Sequence, residues 1–367
     1  MKEKEFINRY GLFSSIVVTA IGVGVFSYPR DLTRLVGSDG WFVTLISGAI
    51  SCLLLYLIYR VVRLNNYNSF YSILHYNFGG FLAKICAIVF VFFNIFSIAL
   101  GMRVFSEVLK MYLLLRTPTE FILILMIFTG IYLVRSGFDV LVRFNQIAFW
   151  LMFLPILFII IIAAKGADFT NVLPVFNNKP LDYLKGVGAT IYAFTGYQIA
   201  YLLIPSAKEK DAIPKIIVKS MIFISLFYVI ITIMSLAIFN KKETTNLLWP
   251  TITMIKSIDI PGTFIERWEG VVMALWVIFY FTTFVNGYYL SSDIIKNAFK
   301  VEDVKISSYI LMPFIYVIAL YPENVPELYK ISNMTGSTLS TFSLVILPVL
   351  ILIVSLVKHK GGCRDEI

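Results

Sequence analysis

Charged residues are what this sequence has least of. Asp, Glu, Lys and Arg make up 14% of its 367 residues, where soluble domains carry about 25%. Histidine occurs only at His75 and His359, both outside the apolar runs, so a His-based metal centre or catalytic triad lacks its material. No G-x-x-x-x-G-K-[ST] segment is present, which excludes a recognisable phosphate-binding loop. The three cysteines make no disulfide framework, since Cys52 and Cys86 fall in or beside apolar runs and Cys363 in the tail. Neither catalysis, a bound metal nor a cofactor is expected. The net charge of +9 does not point to nucleic acid, because the basic residues lie between apolar runs and act as topology signals.

What is abundant is hydrocarbon. Apolar residues reach 59%, Phe alone occurs 32 times, and the mean hydropathy is +0.83. Ten apolar segments follow one another, at 11–35, 41–63, 80–112, 119–135, 142–164, 183–205, 214–239, 269–295, 306–322 and 335–357. Most approach the roughly 20 residues that a bilayer-crossing helix needs. Helices are the only open-ended structure whose backbone groups satisfy one another in lipid. The expected fold is therefore an all-α integral membrane protein of ten transmembrane helices. Residues 1–10 form a polar leading segment with no signal-peptide pattern, 11–357 one membrane domain, and 358–367 a tail. Arg60, Arg63 and the Lys208, Lys210, Lys215 and Lys219 cluster share a side with Lys2, Lys4 and Arg9, which places both termini in the cytoplasm. The loop at 240–268 has an apolar pattern of its own, read as a short helix over the outer mouth or resting on the bundle.

Two segments are interrupted. The first carries Ile21-Gly22-Val23-Gly24-Val25-Phe26-Ser27-Tyr28-Pro29, and the sixth carries Ala193-Phe194-Thr195-Gly196-Tyr197-Gln198 followed by Pro205. Glycine weakens a helix and proline removes a donor, so the backbone can open there. The first and sixth of ten are corresponding positions in a five-plus-five inverted repeat, and paired interruptions of this kind point to a midplane binding site. Glycine also serves plain helix packing, the competing reading for Gly22 and Gly24. The stretches 11–29, 188–207 and 270–292 contain no ionisable Asp, Glu, Lys, Arg or His. Carboxylate-based proton coupling there has no support, whereas opened backbone can hold the carboxylate and ammonium of a zwitterion. Asn94 and Ser97 in the third segment, and Thr282 and Thr283 in the eighth, are candidate polar contacts to a ligand or Na⁺. Such hydroxyls also commonly bond to their own backbone. Arg103 and Glu107 stand one turn apart and read either as an outer gate or as an interfacial pair whose heads snorkel to water.

These fragments, in their order, resemble the endospore germination permeases, the B subunits of nutrient germinant receptors within the amino acid–polyamine–organocation transporter superfamily. The resemblance is carried by Gly22 to Leu32, by Gly37-Ser38-Asp39-Gly40-Trp41, by Asp168 to Val175, by Trp249-Pro250-Thr251, and by Phe264-Ile265-Glu266-Arg267-Trp268-Glu269 with Trp276. It implies ten helices in two inverted five-helix repeats with helices one and six broken, in the inner membrane of the spore. It also implies an A-type membrane subunit and a C-type lipoprotein as partners. The implied ligand is a small germinant, commonly an amino acid, held by Gly22, Val23, Gly24 and Val25 opposite Phe194, Thr195, Gly196 and Tyr197. Asn94, Ser97, Tyr280 and Thr283 would supply the walls. Gln198 departs from relatives that carry a carboxylate near this turn. Glu266, Arg267 and Glu269 are read as a structural cluster or a subunit contact. The alternative to a sensing subunit is a cation-coupled secondary transporter of amino acids.

Overall fold

The computed structural model describes residues 6–257 and 268–362. Among them the regular structure is all helical, apart from one isolated parallel bridge between Ile7 and Ala207. The first apolar segment is two helices, α1 (Arg9–Ala20) and α2 (Gly24–Val36). Asn8 starts α1 by accepting the Gly11 N–H on its side chain at 2.7 Å. Helices α3 (Gly40–Leu64), α4 (Phe70–Tyr112), α5 (Thr119–Arg135) and α6 (Phe138–Ala163) follow. The sixth segment is α7 (Pro180–Thr190), an irregular stretch, and the short α8 (Ala200–Leu203). Beyond it come α9 (Ile213–Asn246), α10 (Pro250–Lys256), α11 (Trp268–Phe299), α12 (Val304–Leu320), α13 (Val325–Ile331), α14 (Ser337–Thr341) and α15 (Leu347–Gly362).

Left-handed residues mark where apolar segments start and stop inside longer helices. Gly79 (φ 78°) kinks α4 just before the segment at 80–112, and Asn240 (φ 58°) kinks α9 just after the segment at 214–239. Among the described residues, five stretches are long and apolar enough to cross a bilayer, and two bent pairs raise the number to seven. The packing follows a repeat: α3 lies along α9, α4 along α11 and α5 along α12, so segments two, three and four each meet the segment five places on. That is the packing of two repeated halves, and it leaves α1, α2, α7 and α8 in the centre.

Polar side chains tie this frame together. Asn145 of α6 donates to Ser15 Oγ (3.1 Å) and to Asn286 Oδ1 (2.9 Å), while Asn286 of α11 donates to Thr19 Oγ1 (2.8 Å). All are buried, and neutral amides satisfy one another there without the desolvation cost of charge. At the other end of the bundle, buried Asp39 accepts from Phe176 N–H (2.6 Å), Asn178 Nδ2 (2.6 Å) and Tyr183 OH (2.8 Å), pinning the connection between α6 and α7.

The helix expected in the 240–268 loop is α10, and a proline explains where it docks. Pro29 has no N–H, so inside α2 the Val25 carbonyl loses its helical donor. Thr251 of α10 supplies a replacement, donating to Val25 O at 2.7 Å from a fully buried position. Thr251→Val keeps the shape and removes the donor. It is expected to cost about 1–3 kcal/mol, read as a lower thermal unfolding midpoint. An unchanged midpoint would mean the carbonyl finds another partner.

Candidate functional site

The two interruptions face each other across the middle of the bundle. After Ala20 the chain leaves the helix at Ile21 (ψ 89°) and re-enters at Gly24. Neither Gly22 N–H nor Val23 N–H has a protein acceptor among the described residues. In the second break Thr195 is extended (φ −62°, ψ 154°) and Gly196 is left-handed (φ 118°). Gly196 presses on the end of α1 so closely that an added Cβ would stand 2.5 Å from Thr19 O. The freed backbone is partly capped by side chains. Thr283 donates to Thr19 O (3.1 Å), Thr282 to Val18 O (3.0 Å), and Tyr228 to Ala193 O (3.0 Å).

Between the breaks lies an inner chamber of about 120 Å³, lined in part by Gly22, Val23, Gly24, Asn94, Thr195 and Gln198. Ser97, Tyr280, Thr283 and Gly196 border it as well. It continues past Val23, Gly24, Ser97 and Thr195 into an outer chamber of about 540 Å³. Among the described residues, no Asp, Glu, Lys, Arg or His lines either one.

Nine of the twelve sequence-derived ligand residues border the inner chamber. Val25, Phe194 and Tyr197 do not, because their side chains turn into the packing and are at most 2% exposed. Phe194 rests on the Tyr228 ring, centroids 5.2 Å apart. Thr282 and Thr283 spend their hydroxyl protons on α1 carbonyls, binding α11 to the end of α1. Arg103 and Glu107 form their one-turn pair at 3.2 Å, largely buried, and line neither chamber. Glu266 and Arg267 lie outside the described residues, as does the side chain of Glu269.

Two residues matter more than their sequence context suggests. The carboxamide of Gln198 accepts the Gly196 N–H on Oε1 (2.7 Å) and donates from Nε2 to Asn94 Oδ1 (3.2 Å). Asn94 in turn donates to Gly287 O (2.7 Å) and Ser291 Oγ (2.8 Å), so the second break is linked to α4 and α11. The available signal was that Gln198 is the one carboxamide in the apolar stretch 188–207. The other is Arg30, whose buried guanidinium donates to Leu248 O (3.0 Å), pairs with Asp31 (2.7 Å) and stacks over Tyr329 at 5.2 Å. Tyr329 lines the outer chamber and accepts from Trp249 Nε1 at 3.1 Å. At the opposite end of the bundle the breaks are latched by Ile7 N–H donating to Ser206 O (2.8 Å) and by Arg9 donating to Glu209 (2.8 Å).

Residues 6–328 match the family described as "Spore germination protein". The chain belongs to the spore permease family. It is 26% identical to spore germination protein YndE of Bacillus subtilis (strain 168), over 94% of this chain and 95% of that protein. Spore germination protein A2 of the same organism is 24% identical over 96% of each chain, and GerQB of Bacillus cereus is 25% identical over 95% of each. Among solved structures, the substrate-bound, outward-open form of a Na⁺-coupled sialic acid symporter superposes with a TM-score of 0.66 at 12% identity, covering 93% of this chain and 80% of that one. A nucleobase–cation-symport-1 family transporter gives a TM-score of 0.62 at 13% identity, covering 98% and 93%. The spore permease is thus a multi-pass membrane protein with a transporter fold and permease-type relatives.

Proposed function

We propose that this spore permease is the germinant-sensing subunit of a nutrient receptor and binds a small amino acid or similar zwitterion between its broken helices. The observation that supports this best is the apposition of two backbone breaks around a chamber with no Asp, Glu, Lys, Arg or His among the described residues that line it. Free N–H groups at Gly22 and Val23, before the start of α2, suit a carboxylate, and the carbonyl end of α1 suits an ammonium. Binding shifts the bundle between states by the ligand's differential affinity for them. Partner A-type and C-type subunits then receive that shift. The reading places ten spans in the spore inner membrane as one domain, 11–357, with 1–10 and 358–367 in the cytoplasm. Arg103 with Glu107, and Glu266, Arg267 and Glu269, serve as gate or subunit contacts.

The test is direct binding of a labelled amino-acid panel to the purified chain, wild type beside Gly24→Val. An added Cβ at Gly24 meets only Tyr228 OH, 3.9 Å away, so the larger side chain enters open space and does not displace protein. Saturable binding by the wild type that is lost in a stably folded Gly24→Val is the expected result. Absence of binding by folded wild type would move recognition to a partner subunit. The transporter fold supports a second reading, cation-coupled amino-acid uptake. Accumulation in vesicles that requires an ion gradient would favour it.

A further inference from the structure

The inner chamber is too small for most whole ligands. At about 120 Å³ it falls below the roughly 300–1,000 Å³ of small-molecule pockets. It matches a polar head, and anything attached to that head must extend through the shared doorway into the outer chamber of about 540 Å³. The two chambers differ in chemistry. The inner one offers backbone N–H groups and the Asn94 and Gln198 carboxamides. One wall of the outer one is a run of α4 side chains, Phe93, Phe96, Leu100 and Val104. The uncharged polar groups of Ser332 and Asn333 border it as well.

We infer, on the basis of the amino-acid reading above, that the ligand's side chain occupies the outer chamber against this α4 wall. The preferred ligand is then a zwitterion whose side chain is uncharged, apolar and larger than a methyl group. A charged side chain would be desolvated in a chamber that has no counter-charge among the described residues lining it, which is costly. A carboxamide side chain would lose water against the α4 wall without full replacement of its hydrogen bonds. An aliphatic one gains by burial, and each methylene in a fitted apolar pocket is worth roughly tenfold or more in discrimination.

Competition binding to the purified full chain in lipid nanodiscs tests this, with glycine, leucine, asparagine and glutamate displacing a labelled amino acid. Leucine is expected to bind at least about tenfold more tightly than glycine and than its near-isostere asparagine, with glutamate weakest. Val104→Thr, nearly isosteric, places a hydroxyl in the apolar wall and is expected to lower the leucine-to-glycine ratio several-fold. Glycine binding as tightly as leucine, or asparagine or glutamate binding more tightly, would overturn the placement of the side chain while leaving an amino-acid site. An unchanged ratio in a folded Val104→Thr would overturn it too. No binding by any of the four would remove the amino-acid reading and this inference together.

Discussion

Gly196→Ala is expected to lower the stability of the spore permease by about 3 kcal/mol or more and to abolish ligand binding with it. Two costs combine at this position. The residue holds φ at 118°, where a side chain adds roughly 1–3 kcal/mol of strain. The added Cβ would also lie 2.5 Å from Thr19 O and 2.8 Å from Ala20 Cα. Those are backbone atoms at the end of α1, so relief cannot come from a rotamer change and must come from separating the two broken helices. The damage is therefore to the fold of the site, whereas Gly24→Val acts by filling the chamber. Thermal unfolding separates the two mechanisms: Gly196→Ala loses its cooperative transition or shifts it far down, while Gly24→Val melts close to wild type. Equal midpoints for Gly196→Ala and wild type would show that the backbones are not held this close.

The all-helical, membrane-spanning character was legible because it is written in a one-dimensional quantity. Apolar run length decides which segments are helical in lipid, and the left-handed residues Gly79 and Asn240 fall where two runs begin and end. The breaks were legible for a similar reason, since glycine and proline act locally on the backbone. What a break exposes was only half legible. Side-chain direction at Val25, Phe194 and Tyr197 depends on how the irregular backbone turns, and all three point into packing. Polar partners separated by long stretches of chain were not legible at all. Pro29 and Thr251 belong to two short motifs that carry the family resemblance, yet their connection through the Val25 carbonyl exists only once α10 lies on α2. Arg30, in the same motif as Pro29, likewise shows its role only once Tyr329, about three hundred residues on, sits beneath it.

Gln198 is the sharpest instance of this limit, and its substitution has the second large expected effect. Its Oε1 takes the Gly196 N–H and its Nε2 holds Asn94 Oδ1, all bordering the inner chamber. Gln198→Glu keeps the size and the acceptor but replaces the donor with a second oxygen. Asn94 Oδ1 then faces a carboxylate without a proton between them, and the chamber acquires a negative charge with no counter-charge among the described residues that line it. A ligand carboxylate brought to the same chamber meets a like charge at low dielectric, a juxtaposition that costs several kcal/mol. Affinity for zwitterions is expected to fall about a hundredfold, while simple amines, which carry only the cationic half, gain relative to them. Gln198→Met, similar in length and uncharged, separates the electrostatic effect from loss of the link to Asn94 and is expected to weaken zwitterion binding far less. The readout is the ratio of amino-acid to amine binding in the three proteins at constant pH. Zwitterion affinity in Gln198→Glu within a few-fold of wild type would place the ligand carboxylate outside the inner chamber, away from the Gly22 and Val23 N–H groups, and the orientation proposed between the broken helices would have to be given up.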